Sequence, residues 1–515
     1  MRNTFICILI ITICYIPLVL IDYNHLPYSD GAEHGAAVRE LAKNVINPED
    51  PLLANHPGGS SRFVPSILLM AFFMNRLHLD ILAVLKIFLI VFFILFLIAA
   101  SLFSREYCND ADQAPWSLIS LLFLWGSGWT GANAYMFSAM LYTAYFPSVV
   151  SFSLSLLACY FQLRFLRYRR AGTFVLYLLL GALAFVNHPL TGFFFLISSG
   201  LLYVEKGGFS KETFVYYSLS VVVTLSLVSL WPYYSFFTNL SRIVTGEMGK
   251  TVDYQATRHY LYSHILVRSG PALAGIPFLL LFFRQRHYGF LTGCFAVFSL
   301  CYLVGYLFKI SLAERCIFFI IFTLQMSVSR ILREWFHLSS QAPDQNSKKI
   351  TAWFLGTLLI IGIGVQLVST YTKFISPAFE RKAGSILPRY VNPNPVQLTL
   401  RKYLSEGDVV LSDRYTSWAI PLYTGAKVIA LFHTPPHVTD NRERVKAVET
   451  FYDTATTPEE RRKILTRYGV THILLNFKTA GTELAPVLEK MGFAVIAGDN
   501  SFRLFSVFTN KPYRY

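Results

Sequence analysis

The chain has 515 residues, of which 54% are hydrophobic and only 15% charged, and its formal charge is +15. A soluble chain usually carries charge on about a quarter of its residues, so most of this one must be solvated by lipid. The positive balance does not mark a nucleic-acid partner, because the Lys and Arg residues gather between apolar runs, where anionic headgroups and membrane topology call for them.

The apolar run over 4–21 follows Arg2 and precedes no small-x-small cleavage site, so it reads as an uncleaved first transmembrane helix. Further spans are expected near 81–103, 114–130, 146–166, 213–235, 269–284, 288–308, 315–335 and 350–370. The run from Thr173 to Val204 is too long for one helix, and Asn187-His188-Pro189 breaks it into two. The total is about 11 transmembrane helices, which puts the two ends of the chain on opposite sides. Six cysteines lie in or beside apolar runs and Cys108 in a short polar loop; none follows Cys316, so the tail holds no disulfide.

Orientation follows from the basic loops. Arg164, Arg167, Arg169 and Arg170, then Lys206 and Lys211, Arg284 and Arg286, and Arg330, Arg333, Lys348 and Lys349 fall on one side, which the positive-inside rule makes cytoplasmic. The apolar stretch Phe63 to Leu77 is read as interfacial, since counting it as a span would move the Arg167–Arg170 cluster outside. One loop runs against the rule: 104–113 has Glu106, Asp110 and Asp112 against Arg105. The expectation is a multi-pass protein of the inner (plasma) membrane, with its N-terminus cytoplasmic.

Two domains follow, a transmembrane one over 1–370 and an extracytoplasmic one over 371–515. The first includes a first outer loop at 22–62 and a middle outer loop at 236–268. In the tail, β-rich runs at 408–412, 427–431 and 471–475 alternate with helical stretches near 440–453, 458–468 and 482–491, as in a small α/β domain. Pro388, Pro393 and Pro395 mark the linker before it. The fold class is therefore a polytopic α-helical membrane protein with a C-terminal soluble α/β domain.

The first outer loop has six acids against three bases, in a chain that is otherwise basic. A helical pattern from about Gly31 to Val45 brings Asp30, Glu33 and His34 within one turn. Asp30 followed three residues later by Glu33 is also a capping-box-like helix start, and capping alone accounts for both acids. The two roles are compatible, because a carboxylate held at a helix start is fixed in position.

An acidic pair in the first outer loop, many spans, an interfacial helix before the second span and a soluble α/β tail together resemble the glycosyltransferase C superfamily, membrane enzymes that use polyprenyl- or dolichyl-phosphate sugars. The resemblance implies inverting transfer of a sugar from a polyprenyl-phosphate donor to an acceptor hydroxyl on the outer face, with Asp30 and Glu33 as the catalytic carboxylates. Asp30 would take the acceptor proton. The implied partners are that donor, a glycan, lipid or protein acceptor, and membrane lipids. Members often carry a further acid in the second outer loop, but 130–147 has none, so no metal ligand is assigned and a divalent cofactor has no support.

A departing phosphate needs cations or donors at the outer surface. Arg315, at the outer start of the tenth span, and His188, in the tight outer hairpin, are placed there, with salt bridging to Glu314 and local helix repair as their alternative roles. Arg62, returning the loop to the membrane, and Lys86, about 9 Å inside the second span by helical rise, complete the donor-phosphate candidates. Arg242, Lys250, Arg258, His259 and Arg268 sit among tyrosines in the middle loop and read as an interface belt. The segments 412–418 and 432–437 follow strands, where α/β domains present ligand groups, and read as a lid or scaffold ahead of acceptor binding; the acceptor site itself is unassigned. The competing readings are a transporter or flippase of lipid-linked saccharides and a non-catalytic assembly protein. Against transport, interrupted helices do not repeat in corresponding halves.

Overall fold

The computed structural model describes residues 2–21, 29–56, 59–127, 133–238, 258–285, 288–339, 345–375, 395–432, 438–479 and 483–508. The chain divides into two compact units, one of residues Met1–Tyr23 and Lys86–Leu387, the other of Asn24–Leu85 and Pro388–Tyr515.

The first unit is helical. Its elements are α1 (Arg2–Leu20), α4 (Ile81–Cys108, from Lys86 onward), α5 (Gln113–Phe123), α6 (Phe137–Thr143), α7 (Pro147–Tyr168), α8 (Ala171–Asn187), α9 (Pro189–Gly207), α10 (Lys211–Ser229), α11 (Ile265–Ser269), α12 (Gly275–Arg284), α13 (Gly289–Phe308), α14 (Ile317–Ser339) and α15 (Gln345–Thr370). Among the described residues, seven helical segments are long and apolar enough to cross a membrane: α1, α4, α7, α10, α11 with α12, α13, and α14 with the 3-10 turn before it. The count of eleven is not reached on this measure. The run expected over 114–130 is helical only to Phe123, and the run from Thr173 to Val204 is divided at His188, as its sequence requires.

The acidic loop that ran against the charge rule has a direct explanation. Glu106 pairs with Arg167 at 2.9 Å and Arg164 at 3.8 Å, and Asp110 with Arg333 at 3.1 Å and Arg330 at 3.4 Å. Glu205 pairs with Lys206 and accepts from Tyr107 Oη at 3.1 Å. The acids therefore neutralise the basic clusters at the carboxyl ends of α4, α7, α9 and α14. Because α9 and α14 each run about 1.5 Å per residue away from their starts, the turns carrying His188 and Arg315 close the opposite end of the bundle.

The second unit is built on a five-stranded sheet, β1 (Val409–Leu411), β2 (Lys427–Val428), β3 (His472–Asn476), β4 (Ala494–Gly498) and β5 (Phe502–Ser506), in the order β2-β1-β3-β5-β4. β2, β1 and β3 are parallel; β5 is antiparallel to β3 and to β4. Helices α19 (Asn441–Tyr452), α20 (Pro458–Tyr468) and α21 (Leu484–Lys490) supply Val448, Phe451, Leu465 and Leu488 to the core on one face. The other core takes Leu400 from α16 (Pro395–Leu400), Ile420 from α18 (Ile420–Thr424), and Ala36, Leu52 and Leu53 from the first loop.

The loop does more than lie on the sheet. Val428 N donates to Leu52 O at 2.8 Å and Ala54 N to Val428 O at 2.9 Å, so residues 52–54 extend the sheet beyond β2. Arg444, 2% exposed, locks this edge by donating to Ala54 O at 2.9 Å and Ile429 O at 3.3 Å. The compact division thus differs from the boundary drawn at 371, because a sheet with two apolar faces needs two covering layers and the loop forms part of one. Two helices from this part of the chain belong here: α2 (Ser29–Lys43) of the loop, and α3 (Pro65–Leu77) after it, the stretch read as interfacial, which Asn75 ties to Ala42 O at 2.8 Å.

Candidate functional site

The six candidate residues fall into two sets. Asp30, Glu33 and Arg62 belong to the sheet-bearing unit; Lys86, His188 and Arg315 belong to the helical one.

Helix α2 begins at Ser29, which puts Asp30 inside the first turn rather than in the capping position the sequence suggested. An anion there is favoured by the exposed amides and the helix dipole. Asp30 is partly exposed, and among the described residues it has no ion-pair or hydrogen-bond partner. Glu33, one turn further, is fully buried. Its Oε2 pairs with Arg62, and its Oε1 accepts from Trp418 Nε1 at 2.8 Å. A buried carboxylate is tolerable only with such partners, so Glu33, Arg62 and Trp418 form a fixed support beside Asp30. His34 is also buried, at 4% exposure.

Further along α2, Arg39 Nε donates to Leu422 O at 2.7 Å. Burial lowers its pKa, as does Arg401, while Asp80 and Glu406 oppose the fall. Arg39, Glu40, Lys43, His56, Glu406 and Lys427 line a cleft of about 430 Å³ that neither Asp30 nor Glu33 reaches. Its charges answer one another: Lys427 meets Glu40 at 2.7 Å, and His56 meets Asp50 at 3.0 Å.

In the helical unit, the 3-10 turn Ala313–Cys316 holds Arg315, whose Nη1 donates to Asn133 Oδ1 at 3.1 Å. Arg315 is half-buried, whereas the neighbouring Glu314 is fully buried. His188 caps α9: its Nδ1 accepts from the Thr191 amide at 3.4 Å and lies 2.9 Å from Thr191 Oγ1. The ring is nonetheless half-buried, so the cap does not enclose it. Lys86 is 2% exposed and its Nζ donates to Val19 O at 3.3 Å, in the last turn of α1, where a cation meets free carbonyls. Arg268 lies over the Tyr260 ring at 3.5 Å from its centroid. Arg242, Lys250 and residues 433–437 lie outside the described residues.

Sequence reasoning missed two members of these sets. Asn133, the partner of Arg315, lies in the loop searched only for an acid. Trp418 lies in a segment singled out for following a strand, but its distance of 385 residues from Glu33 gave no sign of their contact. Among the described residues, no group of three or more His, Cys, Asp or Glu side chains could hold a metal, and both oxygens of Glu33 are engaged.

No family model and no curated protein matches the chain. Similar solved structures include the Archaeoglobus fulgidus oligosaccharyltransferase tethered with an acceptor peptide, at 12% identity and a TM-score of 0.57, over 92% of this chain and 69% of that one. ArnT from Cupriavidus metallidurans is 11% identical with a TM-score of 0.56, over 98% of both chains. The arabinofuranosyltransferase AftD from Mycobacteria is 11% identical with a TM-score of 0.55, over 98% of this chain but 41% of that one. At such identities the likeness is one of fold alone.

Proposed function

We propose that the chain is a membrane glycosyltransferase that moves a sugar from a polyprenyl-phosphate donor to an acceptor hydroxyl at the outer face of the plasma membrane. The observation that carries this reading is the contrast on α2: Asp30 stands partly exposed with no partner among the described residues, while Glu33 one turn away is buried and held by Arg62 and Trp418. A general base must be accessible and fixed, and a buried ion pair beneath the same turn supplies the fixing.

In the proposed step the acceptor oxygen attacks the anomeric carbon from the face opposite the phosphate. The new carbon–oxygen bond forms as the bond to the phosphate oxygen breaks, and its electron pair leaves with polyprenyl phosphate. The acceptor proton passes to an Asp30 carboxylate oxygen, and configuration at the anomeric carbon inverts. Glu33 and Arg62 act as positioning residues. Arg315 and His188 are the groups proposed to meet the leaving phosphate, because an Arg fork and an imidazole are suited to its oxygens. Lys86, engaged at the end of α1, is assigned to helix capping.

The likeness to an oligosaccharyltransferase and an arabinofuranosyltransferase favours this reading over transport. Reconstituted vesicles supplied with a polyprenyl-phosphate sugar and a glycan acceptor separate the two. The transferase reading expects a new glycosidic bond of inverted configuration and stoichiometric release of polyprenyl phosphate. Movement of intact donor between leaflets without either product would establish a transporter instead.

A further inference from the structure

We infer that the residues directly following β1, β2 and β3, among them Asp413, Tyr415, Trp418, Phe432 and Thr479, form the acceptor subsite, where the ring of a saccharide lies against the face of Tyr415; this rests on the transfer reading above. Parallel strands send their following loops to one edge of a sheet, and ligands of α/β domains gather there. Here those loops are tied together. Asp413, after β1, accepts at Oδ2 from Thr479 Oγ1, after β3, at 2.8 Å. Asn476, ending β3, donates to Thr416 Oγ1 at 2.9 Å, and Phe432, after β2, donates its amide to Arg414 O at 3.1 Å.

On this tied platform stand three rings. Tyr415 and Phe432 have centroids 4.6 Å apart with a 31° tilt, and Phe432 and Trp418 are 5.5 Å apart. Tyr415 is 62% exposed, although it is braced by a neighbour and belongs to a segment whose backbone is fixed by Asp413. A braced, exposed aromatic face with Asp413 and Arg414 beside it matches a saccharide ring, which offers slightly positive C–H groups on its face and hydroxyls at its rim. The third ring supplies the connection to chemistry, since Trp418 Nε1 donates to Glu33, three residues beyond Asp30 on α2. The occupant of the platform would therefore be held by the same framework that fixes the proposed base.

The test uses the full chain in nanodiscs of phosphatidylethanolamine and phosphatidylglycerol, with the methyl glycosides of several hexopyranoses and pentofuranoses as probes and saturation-transfer NMR as readout. Saturation should reach the ring C–H protons of at least one probe. Tyr415→Ala should weaken that signal by about tenfold, the size expected on removing an aromatic stack, with thermal stability unchanged. Tyr415→Phe should retain it, because the face and not the hydroxyl is used. Asp30→Asn should retain binding while losing transfer. Absence of saturation for every probe, an unaltered signal in Tyr415→Ala, or equal loss in Tyr415→Phe would each overturn the subsite. If Tyr415→Ala leaves the glycoside signal intact and changes only partition into the bilayer, the rings are a headgroup belt and the subsite is again overturned. Transfer that survives Asp30→Asn alongside normal glycoside binding would instead remove the proposed base and leave the platform standing.

Discussion

Asp30 and Glu33 lie one helical turn apart in opposite surroundings, and this difference is what the acidic motif alone could not express. Both were legible as a pair on one helix, but the pattern treats them as equivalent. The distinction comes from Arg62 and Trp418, which reach Glu33 from 29 and 385 residues away. Removing one member of a buried ion pair leaves an uncompensated charge and costs about 3–5 kcal/mol. Arg62→Met should therefore lower the thermal midpoint of the purified protein, and Arg62→Met combined with Glu33→Gln should recover most of the loss. A double variant no more stable than Arg62→Met would mean that Glu33 is not held by this charge. Arg315→Gln should raise KM for the donor with little effect on folding, because its described partner is the neutral Asn133.

At the scale of elements, the positions of most helices were legible because apolar period and turn chemistry agree with the final packing. The stretch near 458–468 is an example: α20 starts with a Thr457–Glu460 capping box and Pro458, and ends at Gly469 with φ of 64°. The β4–β5 hairpin was missed because β4 lacks the alternation of a half-buried strand; its residues are exposed or intermediate throughout. β2 proved shorter than the apolar run 427–431, since Ile429 leaves the ladder and gives its carbonyl to Arg444. The contribution of residues 52–54 to the sheet was invisible, because the pairing closes across more than 370 residues of chain. Leu53, 3% exposed, should on truncation to Ala cost about 2–5 kcal/mol as a core leucine does. Limited proteolysis of the 388–515 segment in Leu53→Ala checks this; protection equal to wild type would show that the tail holds its sheet unaided. For α9, His188→Asn should keep the cap, while His188→Ala should lose about 1 kcal/mol. If His188 also meets the phosphate, both variants raise donor KM.

For the whole molecule, charge distribution proved more informative than the net value. Two of the basic clusters meet the acidic loop that opposed them, where Glu106 and Asp110 pair with four arginines. Net charge obscures such a pairing, because the acids and bases cancel in the sum. The number of spans was less legible, because hydropathy detects apolar length but not where a helix stops, as α5 does at Phe123. In a Cys108→Ser background, a membrane-impermeant maleimide added to intact cells should label Lys402→Cys, and should label Arg170→Cys only after permeabilisation; the reverse pattern would invert the proposed topology. The central claim concerns the carboxylate of Asp30, and the most direct measurement is single-turnover transfer from a labelled polyprenyl-phosphate sugar by purified Asp30→Asn. The account predicts normal folding and donor binding with the transfer rate reduced by about 10²–10⁴-fold. Turnover within a few-fold of wild type would contradict it.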